Sequence, residues 1–485
     1  MLRKLEEILT NCKVLKISGN RDQLNGKIVF DSRRVEKGDL FVAIKGTIAD
    51  GHDFVSSAIE KGADFIVCER LPDFVLEEVT YIVVDDSART LGIMAANFYG
   101  NPSENLKVVG VTGTNGKTTV ASLLYEMTLS LGYSAGLFST LKVRFNDKEL
   151  PASHTTPDPV RLHSVFREML NRGVEYVFME VSSHAIHQER ISGIRFRGGV
   201  FTNLSHDHLD YHGTFKNYLE TKKKFFDDLP ATAFALVNLD DKNGKVMIQN
   251  TRADIHTYSF RTLANFRAKL IESHFEGNLL SVNGNEMWTR LPGLFNAYNC
   301  LAVYGTGVLL GFKQEEVLLS ISEQKSVEGR FEIIRSERGT TGIVDYAHTP
   351  DALANVLQTI NGIRNGKKRL ITIIGAGGDR DRAKRPLMAR IAAEKSDKVI
   401  LTSDNPRNED PEKIIEDMKE GLDPILMRKI ISITSREEAI KTACSFAGTE
   451  DIILLAGKGH ETYQEIKGKR HHFDDREKLK LYINT

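Results

Sequence analysis

No stretch of this chain stays apolar for the roughly 20 residues needed to cross a bilayer, so no membrane insertion is expected. Cysteine is scarce. Cys12, Cys68, Cys300 and Cys444 are scattered along 485 residues without a Cys-x-x-Cys pair, which argues against a disulfide framework and suits reduced thiols in a cytosol. An excess of one charge is missing too: Lys+Arg and Asp+Glu each number 65, for a formal net charge of +0. No global attraction to nucleic acid or an anionic membrane follows, a local basic patch aside. The opening MLRKLEEILTNCKVL is a short amphipathic stretch without the apolar core and small-residue cleavage site of a signal peptide. Internal repeats and low-complexity segments are absent. What remains is an ordinary soluble composition, 41% hydrophobic and 27% charged, and the expectation of a cytoplasmic protein of roughly three domains.

Short β-branched runs recur, each followed by a loop and a longer amphipathic stretch: KVVGV (107–111), YVFMEV (176–181), GIVDYA (342–347), RLITIIGA (369–376), DKVILTS (397–403) and DIILLAG (451–457). Apolar runs alternating with helical patterns predict α/β architecture with mostly parallel sheets. Polar stretches at NPSENLK (101–107) and EQKSVEGRFE (323–332) read as boundaries. The expected domains are therefore 1–101, 102–328 and 329–485. In the last third, Asp410 before Pro411 predicts a capped helix start. Ser435 with Glu438 predicts a capping box.

One further absence is local. VTGTNGKTTV (111–120) has the lysine and hydroxyls of a phosphate loop, yet Val111 stands where the common G-x-x-x-x-G-K-[ST] pattern needs glycine. The physical requirements survive without it. Lys107–Val111 reads as a buried strand and Val120–Leu131 as a helix. Gly113 and Gly116 between them permit positive φ, so backbone N–H groups can turn toward an anion at a helix N-terminus. Lys117 would bring charge to the β/γ-phosphates and Thr118 a hydroxyl to Mg²⁺. The bland alternative is an ordinary strand–turn–helix junction with an exposed lysine.

TGTNGKTT resembles the nucleotide loop of the Mur ligase superfamily, whose glycine spacing is shorter. The resemblance extends over essentially the whole chain, in family order: DSRRVEKGDLFVAIKG (31–46), TTPDP (155–159), EVSSHAIHQERI (180–191), TNLSHDHLDYHGTFKNYLETK (202–222), LPGLFNAYN (291–299), VEGRFE (327–332), DYAHTPDAL (345–353), GAGGDRDRAKRPLMA (375–389), DNPRNEDP (404–411) and GKGHETYQ (457–464). It is to the tripeptide-forming branch. The resemblance implies an N-terminal uridine-nucleotide-binding domain, a central ATPase domain and a C-terminal Rossmann-like amino-acid-binding domain. It implies an ATP- and Mg²⁺-dependent amide ligase working through an acyl phosphate. The implied partners are small molecules, UDP-N-acetylmuramoyl-L-alanyl-D-glutamate and meso-2,6-diaminopimelate, with a monomer expected.

Residue by residue, the resemblance implies that Gly113, Thr114, Asn115, Gly116, Lys117, Thr118 and Thr119 hold the nucleotide with Asn296, Asn299, Arg330, Asp345 and His348. Thr118, Glu180, His208 and Lys222 match metal positions, with Lys222 carbamylated. Joining two anions, a γ-phosphate and a carboxylate, calls for such cations and metal ligands, and a hard cation favours the oxygen of Glu180. Ser32, Thr155, Thr156, Ser182, Gln188 and Arg190 match contacts to the muramoyl dipeptide. His154 departs from the asparagine frequent in relatives beside the threonine pair. Arg380, Asp404, Asn405, Pro406, Arg407, Gly457 and Glu461 match diaminopimelate contacts. Taken alone, His208 reads equally as a surface histidine in HDHLDYH and Asp345 as a helix cap. Lys222 reads as part of a solvated KKK run, with Lys223 and Lys224 expected in water.

Two other functions fit parts of the pattern. L-Lysine could replace diaminopimelate on the same nucleotide dipeptide. A nucleotide-gated binding protein would use the loop only as a switch, and would hydrolyse ATP without either substrate. The other Mur ligases and folylpolyglutamate synthase share the ATPase core, but DSRR with DNPR separates this chain from them.

Overall fold

The structure, a computed structural model, describes residues 3–46, 49–152, 154–364 and 368–484. Three sheets organise three α/β domains, with five, eleven and six strands in chain order. The apolar runs form strands close to where they were expected, at Lys107–Thr112, Tyr176–Glu180, Thr341–Asp345, Leu370–Ile374, Lys398–Leu401 and Ile452–Ala456. Lys107–Thr112 lies inside the eleven-stranded sheet, parallel to Tyr176–Glu180 on one side and Phe196–Phe201 on the other. Its Val108, Val109 and Val111 are wholly buried, as befits a strand covered by helices on both faces. Lys117–Ser130 and Leu294–Leu309 pack on one face; Pro159–Asn171 and Phe215–Asp227 pack on the other.

Parallel pairing does not extend through the whole central sheet. Lys142–Phe145 and Lys148–Pro151 form an antiparallel ribbon at one edge, and Phe266–His274, Gly277–Val282 and Asn285–Thr289 form an antiparallel meander at the other. Lys142–Phe145 alternates half-buried and buried residues, the pattern of a strand covered on one face. In the N-terminal sheet only Val14–Ser18 runs antiparallel, against Thr80–Val84. In the C-terminal sheet only Glu332–Arg335 does, against Thr341–Asp345.

Asp410 caps Pro411–Lys419 by accepting from the Glu412 N–H, and Ser435 caps Arg436–Phe446 by accepting from Glu438 N–H. The residue after that cap closes the C-terminal core. Arg436 grips Asp475 at 2.8 and 2.6 Å, with both side chains wholly buried. Removing one member of such a pair strands the other charge. Arg436→Ala should therefore destabilise this domain by about 3–5 kcal/mol in urea unfolding. A loss below about 1 kcal/mol, the scale of an exposed pair, would contradict this role.

Candidate active site

The carboxyl ends of the central and C-terminal parallel strands border one cleft of about 1600 Å³, the place where open α/β sheets bind ligands. The phosphate loop leaves the crest of Lys107–Thr112. Gly113 and Gly116 take φ of +155° and +87°. A Cβ on Gly113 would overlap the Thr202 hydroxyl, and one on Gly116 would lie 2.6 Å from Asn299 Oδ1. Both positions thus need glycine for backbone and for space. The following helix starts at Lys117, three residues before the expected Val120, because left-handed Gly116 turns the chain directly into it. Lys117 Nζ donates to the Gly113 and Thr114 carbonyls at 2.9 and 2.8 Å. Burial pushes this lysine below its ordinary range, against the opposing charges of Glu180 and Asp207.

Glu180 ends the neighbouring strand in register with Val111 and is 1% exposed. Its Oε1 accepts from Thr140 N–H at 2.6 Å. His208 has a left-handed backbone, φ +53°, and its Nε2 lies 3.3 Å from Asp207 Oδ2. Desolvation holds the imidazole low despite Asp207, helped by the charges of His184, Lys117 and Lys222. Burial alone would raise the Asp207 carboxyl, but His208, Lys384, His348 and Lys117 together hold it below the usual carboxylate range.

Lys222 is not on a solvated face. It is 1% exposed, and its Nζ reaches the Gly113 carbonyl at 2.9 Å over the Tyr218 ring. Burial first, and then Lys117, drives its pKa well down. The solvated reading fails for Lys223 as well, which is buried and pairs with Asp227 one turn on at 2.7 Å. Lys224, half exposed, pairs with Glu189.

Thr155, Thr156, Ser182, Arg190 and His154 line the same cleft. Ser182 also caps the helix Ser183–His187, the role its residue type suggests. Arg190 donates to the Thr156 carbonyl at 3.1 Å and to Gln188 Oε1 at 2.5 Å, so Gln188 stands behind the arginine, outside the cleft lining. Ser32 is not brought to the cleft. It opens the short 3-10 turn Ser32–Arg34 in the N-terminal domain.

From the C-terminal side, Arg330 reaches Thr118 Oγ1 at 3.2 Å and stacks on Tyr346 at 4.4 Å. Its Nε is buried with no partner among the described residues. Asp345 accepts from Phe331 N–H at 2.7 Å, and burial raises it to about 6 although Arg330 opposes the shift. His348 Nδ1 is 2.8 Å from the Tyr346 carbonyl. Asn299 lines the cleft; Asn296 stands behind it, accepting its amide at 3.2 Å. Arg380, Asp404, Asn405, Arg407, Gly457 and Glu461 line the far end. Arg407, at φ +50°, donates to the Gly378 carbonyl at 2.7 Å. Pro406 lies outside the lining and backs Gly378 so closely that a Cβ there would overlap its carbonyl.

Among the cleft residues missed in the sequence are Asp207, Lys384, Tyr346 and Asp351. Lys384 Nζ reaches Asp207 Oδ1 at 3.4 Å across the domain junction. For the Asp207–Lys384 pair the local signals were one of the two acidic residues of HDHLDYH and a lysine in a basic stretch. Their meeting is a tertiary fact. Among the described residues no three of His, Cys, Asp and Glu are grouped to hold a metal. Mg²⁺ does not require that, because it is bound by one or two carboxylates with phosphates and water completing the shell. The Glu180 carboxylate and Thr118 hydroxyl suit it, and the unpaired Arg330 Nε suits a polyanion beside them.

Three family models match this chain: "Mur ligase family, catalytic domain" over 27–99, "Mur ligase middle domain" over 111–307 and "Mur ligase, glutamate ligase domain" over 329–459. A UDP-N-acetylmuramoyl-L-alanyl-D-glutamate–2,6-diaminopimelate ligase of Bacteroides fragilis is 56% identical over 477 residues, covering 98% of each chain. Its namesake in Parabacteroides distasonis is 58% identical, covering 94% of each. A solved structure of a ligase of that name superposes with a TM-score of 0.71 at 32% identity, covering 100% of this chain and 99% of the other. A MurF ligase of Thermotoga maritima in complex with ADP shares the fold, with a TM-score of 0.62 at 20% identity over 95% of this chain and 97% of its own. With the phosphate loop, the two facing sheets and this likeness along almost its full length, the chain belongs to the Mur ligase family.

Proposed function

We propose that this chain uses ATP to join meso-2,6-diaminopimelate to UDP-N-acetylmuramoyl-L-alanyl-D-glutamate, a step of peptidoglycan precursor synthesis. The observation that carries the reading is the polarity of one cleft, with a phosphate loop at its central end and Arg380, Arg407, Asn405 and Glu461 at its C-terminal end. A carboxylate oxygen of the dipeptide attacks the γ-phosphorus, and ADP leaves. The diaminopimelate amine then attacks the acyl-phosphate carbon, phosphate departs with the bonding electrons, and the amine proton is released. Lys117 and Arg330 offset the charge of the phosphates, while Thr155, Thr156 and Arg190 hold the dipeptide. Ser32 belongs to the uridine-nucleotide end, away from the chemistry. Thr118, Glu180, His208 and carbamylated Lys222 would hold Mg²⁺, which when bound neutralises the transferring phosphoryl group.

The domain limits proposed are 1–101, 102–328 and 329–485, and each of the three principal sheets falls within one of them. A monomer is part of the same proposal, and a single species of about 54 kDa in size-exclusion chromatography would bear it out. The free thiols favour the cytoplasm. Among the described residues no helix is long and apolar enough to cross a membrane.

The test is an amino-acid panel with the nucleotide dipeptide and ATP, with products resolved by mass. Diaminopimelate carries a second amino-acid head where lysine has only an ammonium, and an arginine fork can pair with the extra carboxylate. Diaminopimelate should exceed L-lysine in kcat/KM by more than about a hundredfold, with Arg407→Ala losing most of that preference, since stranding a buried charge costs about 3–5 kcal/mol. Comparable kcat/KM for the two amino acids would overturn the specificity. Phosphate release without either substrate would favour the switch reading instead.

A further inference from the structure

Behind the amino-acid end of the cleft lies a lysine that does not line it. Lys458, in the loop after Ile452–Ala456, is wholly buried. Its ammonium faces three oxygens, Glu461 Oε2 at 3.1 Å, Asn405 Oδ1 at 3.3 Å and Asp404 Oδ1 at 3.4 Å. Asn405 Nδ2 donates to the same Glu461 oxygen at 2.8 Å, and Glu465 N–H donates to Asn405 Oδ1 at 2.9 Å. One face of the Glu461 carboxylate is thereby held from behind. Its other oxygen is 3.5 Å from the Tyr346 hydroxyl, and the residue itself lines the cleft.

The surrounding charges leave Lys458 little competition for this task. Asp404 and Arg407 come from the loop after Lys398–Leu401, Tyr346 and His348 from the loop after Thr341–Asp345, and Arg436 from the helix Arg436–Phe446. Arg436 is already engaged by Asp475, and Arg407 points to the Gly378 carbonyl with Glu465 at 3.6 Å. Without Lys458, buried Asp404 and half-buried Glu461 would be neighbouring carboxylates short of a cation. In such a pair one member takes up a proton.

We propose that Lys458 is a positioning residue for the incoming amino acid: its buried ammonium keeps Glu461 ionised and aimed, with Asn405, at the distal amino group of a diamino acid. Burial and Asp404 push the Glu461 carboxyl up, while Lys458 and Asn405 pull it back, in keeping with this role. The inference rests on the proposed function, which places the amino acid at Glu461.

The experiment measures KM for diaminopimelate, kcat and KM for ATP on the full chain as a function of pH. At neutral pH, Lys458→Gln should raise the diaminopimelate KM about tenfold while leaving kcat and the ATP KM within about twofold. The ratio of variant to wild-type KM should shrink as pH rises from 6.5 to 8.5, because alkali restores the Glu461 carboxylate. A ratio within twofold of unity throughout, or one that does not change with pH, overturns the role. Lys458→Gln/Glu461→Gln removes both charges and remains readable if the single lysine variant fails to fold. Its KM should match that of Glu461→Gln within about twofold, and a further fivefold loss would show that Lys458 does not act through Glu461. Failure of the wild-type chain to ligate diaminopimelate would count against the proposed function, whereas a competent wild type with an unaffected variant counts against Lys458.

Discussion

Lys117→Ala should lower ATP-dependent ligation more than a hundredfold at saturating ATP while leaving the thermal unfolding of the protein nearly unchanged. Among the described residues the Lys117 ammonium bonds the Gly113 and Thr114 carbonyls, inside the loop whose N–H groups would face the phosphates. Those carbonyls can turn to water when the amine is gone, so the fold loses little. The reaction loses a cation where two anions must approach, and about 3 kcal/mol of transition-state stabilisation is already more than a hundredfold in rate. A brace and a phosphate ligand predict different outcomes. If Lys117 only braced the loop, the variant would melt earlier and recover its kcat once ATP is saturating. Near-normal turnover under those conditions would remove the residue from its assigned role.

The parts of this site that were legible in sequence are those whose physics is local. A strand buried on both faces must be a continuous apolar run, so the strand bearing the phosphate loop could be read directly. Gly113 and Gly116 advertise a backbone that only glycine accepts. Polar partners that meet across the chain leave no such mark. Lys384 and Asp207 are separated by 177 positions, Asn115 and Asp351 by 236, and Arg330 and Thr118 by 212. Each member alone resembles an ordinary surface polar residue. His208 was legible only through the family resemblance, since nothing in HDHLDYH marks the left-handed backbone it adopts, φ +53°.

The lysine run shows a signal that was present but outweighed. On the helix Phe215–Asp227 the buried residues are Tyr218, Lys222, Lys223, Phe225 and Phe226. Lys222 falls one turn after Tyr218 and one turn before Phe225 and Phe226, on the apolar stripe. Lys223 borders that stripe and is neutralised by Asp227. Composition alone puts both in water; for Lys222 the family resemblance pointed to the site instead, and for Lys223 nothing did.

Lys222→Ala should abolish most ligation, and acetate or formate should restore part of it. Carbamylation joins a neutral amine to CO₂ and releases a proton, and an ordinary lysine at neutral pH offers little neutral amine. Lys222 is different, since burial and the neighbouring Lys117 both disfavour its cation. Its Nζ lies at the phosphate loop, 2.9 Å from the Gly113 carbonyl. A carbamate there would place an anion of carboxylate type beside Glu180 and His208, the residues proposed to hold Mg²⁺. Truncation to alanine removes that anion and leaves a small polar space, which a free carboxylate can enter. The loss should exceed a hundredfold, comparable to removing a group needed only in the transition state. Recovery should rise with acetate concentration and then saturate. Lys222→Arg keeps the positive charge but cannot form the carbamate, because guanidinium stays protonated; it should be as inactive as the alanine variant and unresponsive to acetate. If a buried cation were what the site requires, the order would reverse. Full activity in Lys222→Arg would then refute the carbamate.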